Sequence, residues 1–425
     1  MSKKRILVLA YMISPTRGSE FSVSWNYVKQ MSQNNELVVL YGISGAHMGD
    51  IDEMVEYAEN SQLPNVRFIP VKPNGLANAL NWFNRHDIFV YTFYWAYAVW
   101  QCLAYKKALE LVKQESFDLI HYVGPIGYRE PGYLWKIDLP YIWGPIGGAL
   151  NINPKLIDSL TRGGKVKLGV RAILNTIQLR FSRRVRKAIK RADLLLTATT
   201  ENQEVFKRAY GVESIYNPEN AIDGLCPLKM SKFETIAECV DLIFVGTLDS
   251  RKSVITILRA LLRMSTSNRV RLHVVGDGVL RGSLEQFCRD NSLSGSVVWH
   301  GNVSRERVSE LMNSAHLHII TSVSEGNPTT IWEAMSVGLP TLSLDHCGMH
   351  DTICEGCGFK IPIISYDQVI SDIAETLDRC VGDPKILKIK AEGVLRCREK
   401  YTWERRVKFL EECYDKALDN YKRKR

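Results

Sequence analysis

The run TSVSEGNPTTIWEAMSVGLP at residues 321–340 decides how the rest of the chain is read. It follows the apolar run 317–320, which has the length and continuity of a strand buried on both faces. Gly326 permits a tight turn, and Pro328 suits the first turn of a helix. The residues after it therefore open a helix whose free amides form an anion site, with Asn327, Pro328, Thr329 and Thr330 at its mouth. Glu325 stands just before the turn and Glu333 on the helix beyond it. A capping Glu325 and a merely exposed Glu333 would fit the same pattern, and spacing alone does not fix the separation of two carboxylates.

Outward from this run, the pattern repeats. Apolar stretches at 242–245, 272–275, 297–299, 317–320 and 341–344 alternate with helical periodicity at 254–264, 280–289, 305–314 and 330–337. That alternation predicts a doubly wound parallel sheet. Strand-like runs at 6–10, 37–40, 66–70, 119–122, 141–143 and 194–197 repeat the theme less regularly. With 425 residues, two α/β domains are expected. We read residues 1–205 as the first, 206–400 as the second and 401–425 as a C-terminal helix packing back on the first. Two facing domains of this kind hold a ligand at the carboxyl ends of their strands.

Glu325 and Glu333, seven residues apart, resemble the E-x7-E signature of retaining GT-B glycosyltransferases of the family 4 type, and the sequence between and after them is similar almost throughout. The resemblance implies the GT-B fold, a nucleotide diphosphate sugar donor, and no metal or other cofactor. It places Glu325 beside the donor sugar and Glu333 on the ribose hydroxyls. In the loop Gly246-Thr247-Leu248-Asp249-Ser250-Arg251-Lys252, it places Lys252 against the diphosphate. The family's arginine position holds Thr247 instead, so Arg251 is the candidate second cation. Paired cations suit a reaction whose leaving group gains charge. Gly276-Asp277-Gly278 resembles the family's G-D-G turn. Asn220-Ala221-Ile222-Asp223 resembles its junction segment. In the first domain, the loop around Arg17 and Gly18 resembles the glycine-rich phosphate or acceptor loop. His121 matches the first histidine of the family's H-x-H, but Val123 holds the place of the second. Arg129 or Glu130 is a candidate replacement.

Two metal-like patterns are set aside. Asp50-Ile51-Asp52 spells D-x-D at the start of a helix, where aspartates act as caps. His346, Cys347, His350, Cys354 and Cys357 offer zinc ligand types at no standard spacing.

A net charge of +9 matters less than its placement. The stretch 162–191 interleaves arginine and lysine with apolar residues, which suits an anionic membrane surface, a polyanionic partner or a solvated helix face. No nucleic-acid-binding motif accompanies it. The aromatic stretch 88–105 falls just short of a membrane span and reads as a packed wall or an interfacial segment. The run 6–13 lacks a cleavage site, and ten cysteines in a chain this long do not make a disulfide scaffold, so a reducing cytosol is expected. Together with the resemblance, these features predict transfer of a sugar to a saccharide acceptor, lipid-linked at the inner face of a membrane, in bacterial surface-polysaccharide assembly. The alternatives are a sugar-nucleotide epimerase on the same fold and a catalytically silent partner that binds sugar nucleotide or lipid.

Overall fold

The computed structural model describes residues 3–18, 20–43, 48–60, 63, 65–86, 88–89, 91–225, 230–234, 236 and 239–425. The chain forms two compact units. The first comprises residues 1–149, 176–220 and 406–425, and the second residues 150–175 and 221–405. Residues 150–175 thus group with the second unit, whereas a boundary at 205 would leave them with the first. The reason is packing: Leu156 and Leu160 are buried in the second core with Val254 and Tyr366. The Lys155 ammonium also donates to the Ile363 carbonyl at 3.3 Å.

The first unit holds a seven-stranded sheet of β1 (Arg5–Ala10), β2 (Glu36–Tyr41), β3 (Val66–Pro70), β4 (Leu119–Gly124), β5 (Tyr141–Ile146), β6 (Leu194–Thr197) and β7 (Ile215–Tyr216). Its strand order is β3-β2-β1-β4-β5-β6-β7, and all pairings are parallel. Helices cover such sheets on both faces, which is why β4 and β5 are buried along their whole length. The C-terminal helix Trp403–Arg423 packs here from residue 406 onward. Its Glu411 meets the buried Lys4 ammonium at 3.1 Å and accepts from Asn35 Nδ2 at 2.6 Å.

The second unit has a six-stranded parallel sheet: β8 (Val240–Val245), β9 (Val270–Val275), β10 (Val297–Gly301), β11 (Leu317–Ile320), β12 (Thr341–Leu344) and β13 (Gly358–Ile361). Its order is β10-β9-β8-β11-β12-β13. The winding reverses between β8 and β11, and sheets of this kind hold ligands in a crevice at the carboxyl ends of the strands flanking such a switch point. Both sheets and their helices are as the alternating pattern predicts. The short β7 and the half-exposed β13 are additions.

The aromatic stretch is divided by helical periodicity. In the helix Thr92–Gln114, Ala96, Tyr97, Trp100, Gln101 and Ala104 are buried, and the Trp100 indole donates to the Val71 carbonyl at 2.8 Å. Ile88, Phe89, Tyr94 and Trp95 are exposed. Among the described residues, no helix is long and apolar enough to cross a membrane.

Candidate active site

The crevice of the second unit is lined by the loops after β8 and β11, and backbone contacts fasten one loop to the other. The Val323 amide donates to the Arg251 carbonyl at 2.8 Å, and the Thr321 hydroxyl to the Ser253 carbonyl at 2.9 Å. Asp249 turns the β8 loop by accepting from the Lys252 amide at 2.9 Å. Ser253 adopts left-handed backbone at φ 50°, which ends the loop and starts the helix Val254–Arg263. The loop after β9 supports this turn from beside it. Gly276 sits at φ 127°, and a Cβ there would overlap the Gly246 carbonyl. The value of Gly276 is therefore close backbone approach, as its G-D-G setting implies.

These loops bring Arg251, Lys252 and Glu325 together. Lys252 Nζ lies 2.5 Å from Glu325 Oε1, and Arg251 Nη1 donates to the same oxygen. Arg251 also donates to the Ser324 carbonyl at 3.4 Å. Lys252 and Glu325 are largely withdrawn from water, with side-chain exposures of 12% and 11%. Their attraction is consequently stronger than that of a surface pair. One carboxylate holding two cations leaves a net positive charge beside the N-terminus of the helix Thr329–Ser336. Beneath them on β11, His318 is buried, and burial together with the Lys252 charge pushes its imidazole down to about 3. Its Nδ1 lies 3.2 Å from Thr341 Oγ1.

Three buried polar atoms on this strand-loop-helix segment have no hydrogen-bond partner: His318 Nε2, Ser322 Oγ and Thr330 Oγ1. Buried polar groups are nearly always paired, so orphans gathered on one segment mark a place where a ligand or solvent completes the bonding. Asn327 is different. Its Oδ1 accepts from the Trp332 indole at 2.5 Å and its Nδ2 lies 3.4 Å from Thr352 Oγ1, so it clamps the turn. Pro328 is the N-cap residue, with extended backbone. Glu333 is exposed, and the protein around it pushes its carboxyl above the usual range by desolvation, partly offset by Arg305.

The first unit engages its candidates differently. Arg17 Nε donates to Glu53 Oε2 at 2.9 Å, Arg17 Nη2 lies 3.7 Å from Asp50, and the guanidinium sits 5.4 Å from the Phe21 ring. Asp50 of the D-x-D thus pairs with an arginine, and Asp52 opens the helix Asp52–Asn60. Gly18 lies in the loop between β1 and the helix Glu20–Met31, while Ser19 is outside the described residues. Arg129 lies against the Tyr128 ring at 5.5 Å, with its carbonyl taken by Gln178 Nε2 at 2.7 Å. Glu130 is buried and held by Arg184, which also lies 4.4 Å from the Tyr133 ring.

His121 is buried in the centre of the sheet. Its Nδ1 meets the Tyr414 hydroxyl at 3.0 Å and its Nε2 the Gly144 carbonyl at 2.8 Å, so both ring nitrogens serve the fold. Burial depresses its imidazole to about 4, the Gly144 carbonyl opposing part of the shift. The unfolded chain therefore takes up a proton, at pH values between about 6.5 and 4, that native His121 refuses. Stability from this source is complete above about 6.5 and is lost as pH falls through that window. By pH 5 the loss is about 2 kcal/mol. A lower urea midpoint at pH 5 than at pH 7, with a shallower pH slope in His121→Gln, checks this.

Comparison with known proteins comes to the same loops. Residues 231–388 match the glycosyl transferases group 1 family. The lipopolysaccharide 1,6-galactosyltransferase of Salmonella typhimurium is 31% identical over 107 residues, 24% of this chain and 29% of that protein. The chain spans less than half the length of the curated relatives it matches first. Among solved structures, the lipopolysaccharide outer core galactosyltransferase WaaB aligns over 98% of both chains with a TM-score of 0.63 and 16% identity. Anabaena HepE, solved in complex with UDP and glucose, aligns over 97% of this chain and 99% of its own, with a TM-score of 0.61 and 15% identity. The segment that matches this family carries Arg251, Lys252, Glu325 and Glu333, and the chain has the GT-B fold along nearly its whole length.

Proposed function

We propose that this protein is a retaining glycosyltransferase that moves a sugar from a nucleotide diphosphate donor to a hydroxyl of a saccharide acceptor. The observation that carries the reading is the convergence of Lys252 and Arg251 on Glu325 beside the N-terminus of the helix Thr329–Ser336. A diphosphate seated there meets two cations and the backbone amides of the helix, with Thr330 Oγ1 available to donate. In the transfer step the bond between the anomeric carbon and the phosphate oxygen breaks. The acceptor oxygen bonds to that carbon on the same face, and the acceptor proton passes to the departing phosphate. Lys252 and Arg251 stabilise the charge that develops on the leaving group, so the step needs no metal. In this reading Glu333 accepts from the ribose hydroxyls. The HepE complex with UDP and glucose supports a uridine donor as the first to test.

The acceptor is proposed to be lipid-linked, in bacterial surface-polysaccharide assembly, with the protein peripheral on the cytoplasmic face of the membrane. The helix Arg162–Phe181 supports this reading. Val166, Val170, Ile173, Ile177 and Phe181 recur at helical spacing, are all exposed, and are flanked by Arg162, Lys165, Lys167 and Arg180. A groove of about 600 Å³ lined by Trp135, Lys136, Arg186, Lys187, Lys190 and Arg191 adds a basic, aromatic recess.

The test incubates the purified protein with a panel of nucleotide sugars, with and without a lipid-linked acceptor pool. A glycosylated lipid with the donor's anomeric configuration is expected. Conversion of donor alone into its epimer points to the epimerase instead. No product with any donor leaves a silent binding partner. Flotation with phosphatidylglycerol vesicles checks the surface: the protein is expected to float, and a variant with Ile173, Ile177 and Phe181 changed to Asp to stay in the soluble fraction. Equal behaviour of the two sinks the membrane reading.

A further inference from the structure

Away from the donor crevice, three cysteine sulfurs meet. Cys354 Sγ lies 2.8 Å from Cys357 Sγ and 2.9 Å from Cys397 Sγ. The first two belong to the tight turn Cys354-Glu355-Gly356-Cys357, which leads into β13 at Gly358. The third comes from the helix Lys385–Arg398, far along the chain.

The turn itself has the form of a metal knuckle. The amides of Gly356 and Cys357 donate to the Cys354 sulfur, and the Cys354 amide donates to the Cys357 sulfur at 3.0 Å. Amide bonds of this kind hold sulfur in place and favour its anionic form. The helix is built to reach the turn. Gly393 lies so close that a Cβ would overlap the Gly356 carbonyl, and the Lys390 ammonium donates to the Glu355 carbonyl. Cys397 follows Gly393 by four residues, so it lies on the same helix face and completes the trio.

We propose that Cys354, Cys357 and Cys397 form a binding site for a soft, thiolate-seeking metal ion of the zinc type. Three thiolates occupy three corners of a tetrahedron and leave the fourth to solvent. Binding releases thiol protons and fastens the helix Lys385–Arg398 to the turn before β13. The effect reaches the donor side through packing. Tyr401, just beyond this helix, meets Trp332 edge-to-face with ring centroids 5.4 Å apart, and the Trp332 indole holds Asn327. His346 and His350 take no part, since His346 Nε2 meets the Ser322 carbonyl at 2.9 Å and His350 Nδ1 meets Asp345 at 2.7 Å.

The test titrates the full-length, fully reduced, metal-free protein with cobalt(II) under nitrogen. One equivalent per chain is expected, with the sulfur-to-cobalt charge-transfer band and the visible bands of tetrahedral cobalt, both displaced by zinc. Cys397→Ser is expected to weaken binding at least about tenfold, and Cys102→Ser to leave it unchanged. Zinc is expected to raise the melting temperature of the wild-type protein, a readout that does not depend on the variants folding. The proposal is overturned by reduced wild-type protein that gives no charge-transfer band. An undiminished band in Cys354→Ser/Cys397→Ser overturns it too, as does a disulfide within the trio in protein isolated under nitrogen with reductant.

Discussion

Lys252→Ala is expected to lower kcat/KM for sugar transfer by roughly a hundredfold to a thousandfold, the loss that follows removal of one preorganised charge from a developing anion. The magnitude follows from where the ammonium sits. It is largely shielded from water and lies 2.5 Å from Glu325. Solvent cannot replace such a charge cheaply. Lys252→Arg is expected to recover part of the activity, because the charge persists while its geometry changes. Glu325→Gln separates binding from chemistry. It releases two cations from one carboxylate oxygen, so the affinity for a nucleoside diphosphate is expected to rise while kcat falls. Steady-state kinetics with calorimetric titration of UDP reads both. Wild-type kcat/KM in Lys252→Ala would remove the cation pair from the mechanism.

How much of this site is legible before folding depends on whether the signal is local. The turn at Gly326 and the loop at Gly246 announce themselves, because continuous apolar runs precede them and helical periodicity follows. β13 does not, since Phe359 and Lys360 between its ends are only half-buried and the run is too short to alternate clearly. Residues 162–191 show their basic character, but nothing local tells that 150–175 pack against Val254 and Tyr366. His121 is visible as a histidine in a strand, yet one of its two ring partners, Tyr414, arrives from the far end of the chain. The cysteines pose the same difficulty. Cys354 and Cys357 are read together with His346 and His350, whereas the third sulfur comes from a helix forty residues on. Contacts made by backbone approach, such as Gly393 on Gly356 or Gly276 on Gly246, leave only a glycine as their trace.

Gly348→Ala is the strongest test of that last class. Gly348 lies in the helix Cys347–Thr352, and an added Cβ would overlap the Gly326 carbonyl and lie 3.1 Å from Asn327 Cα. Both belong to the turn that carries Glu325 into the helix at Thr329. Neither side can yield freely. His346 holds the Ser322 carbonyl at 2.9 Å, Asn327 is clamped by Trp332 and Thr352, and the Thr352 hydroxyl donates to the Gly348 carbonyl at 2.7 Å. Overpacking against rigid backbone costs about 1–3 kcal/mol, so the melting temperature is expected to fall by several degrees. The functional loss is expected to be larger than this implies. Displacing the turn by about 1 Å moves Glu325 and the helix N-terminus relative to Lys252, and misplacement on that scale costs roughly a hundredfold in rate. UDP affinity is expected to fall at least about tenfold in parallel. Gly382→Ala is the matched control: it lies in the same unit at the end of the helix Tyr366–Gly382, where an added Cβ meets open space, and should leave both readouts unchanged. A Gly348→Ala protein that binds UDP and turns over like wild type would mean that the turn does not hold the donor, whatever its charge.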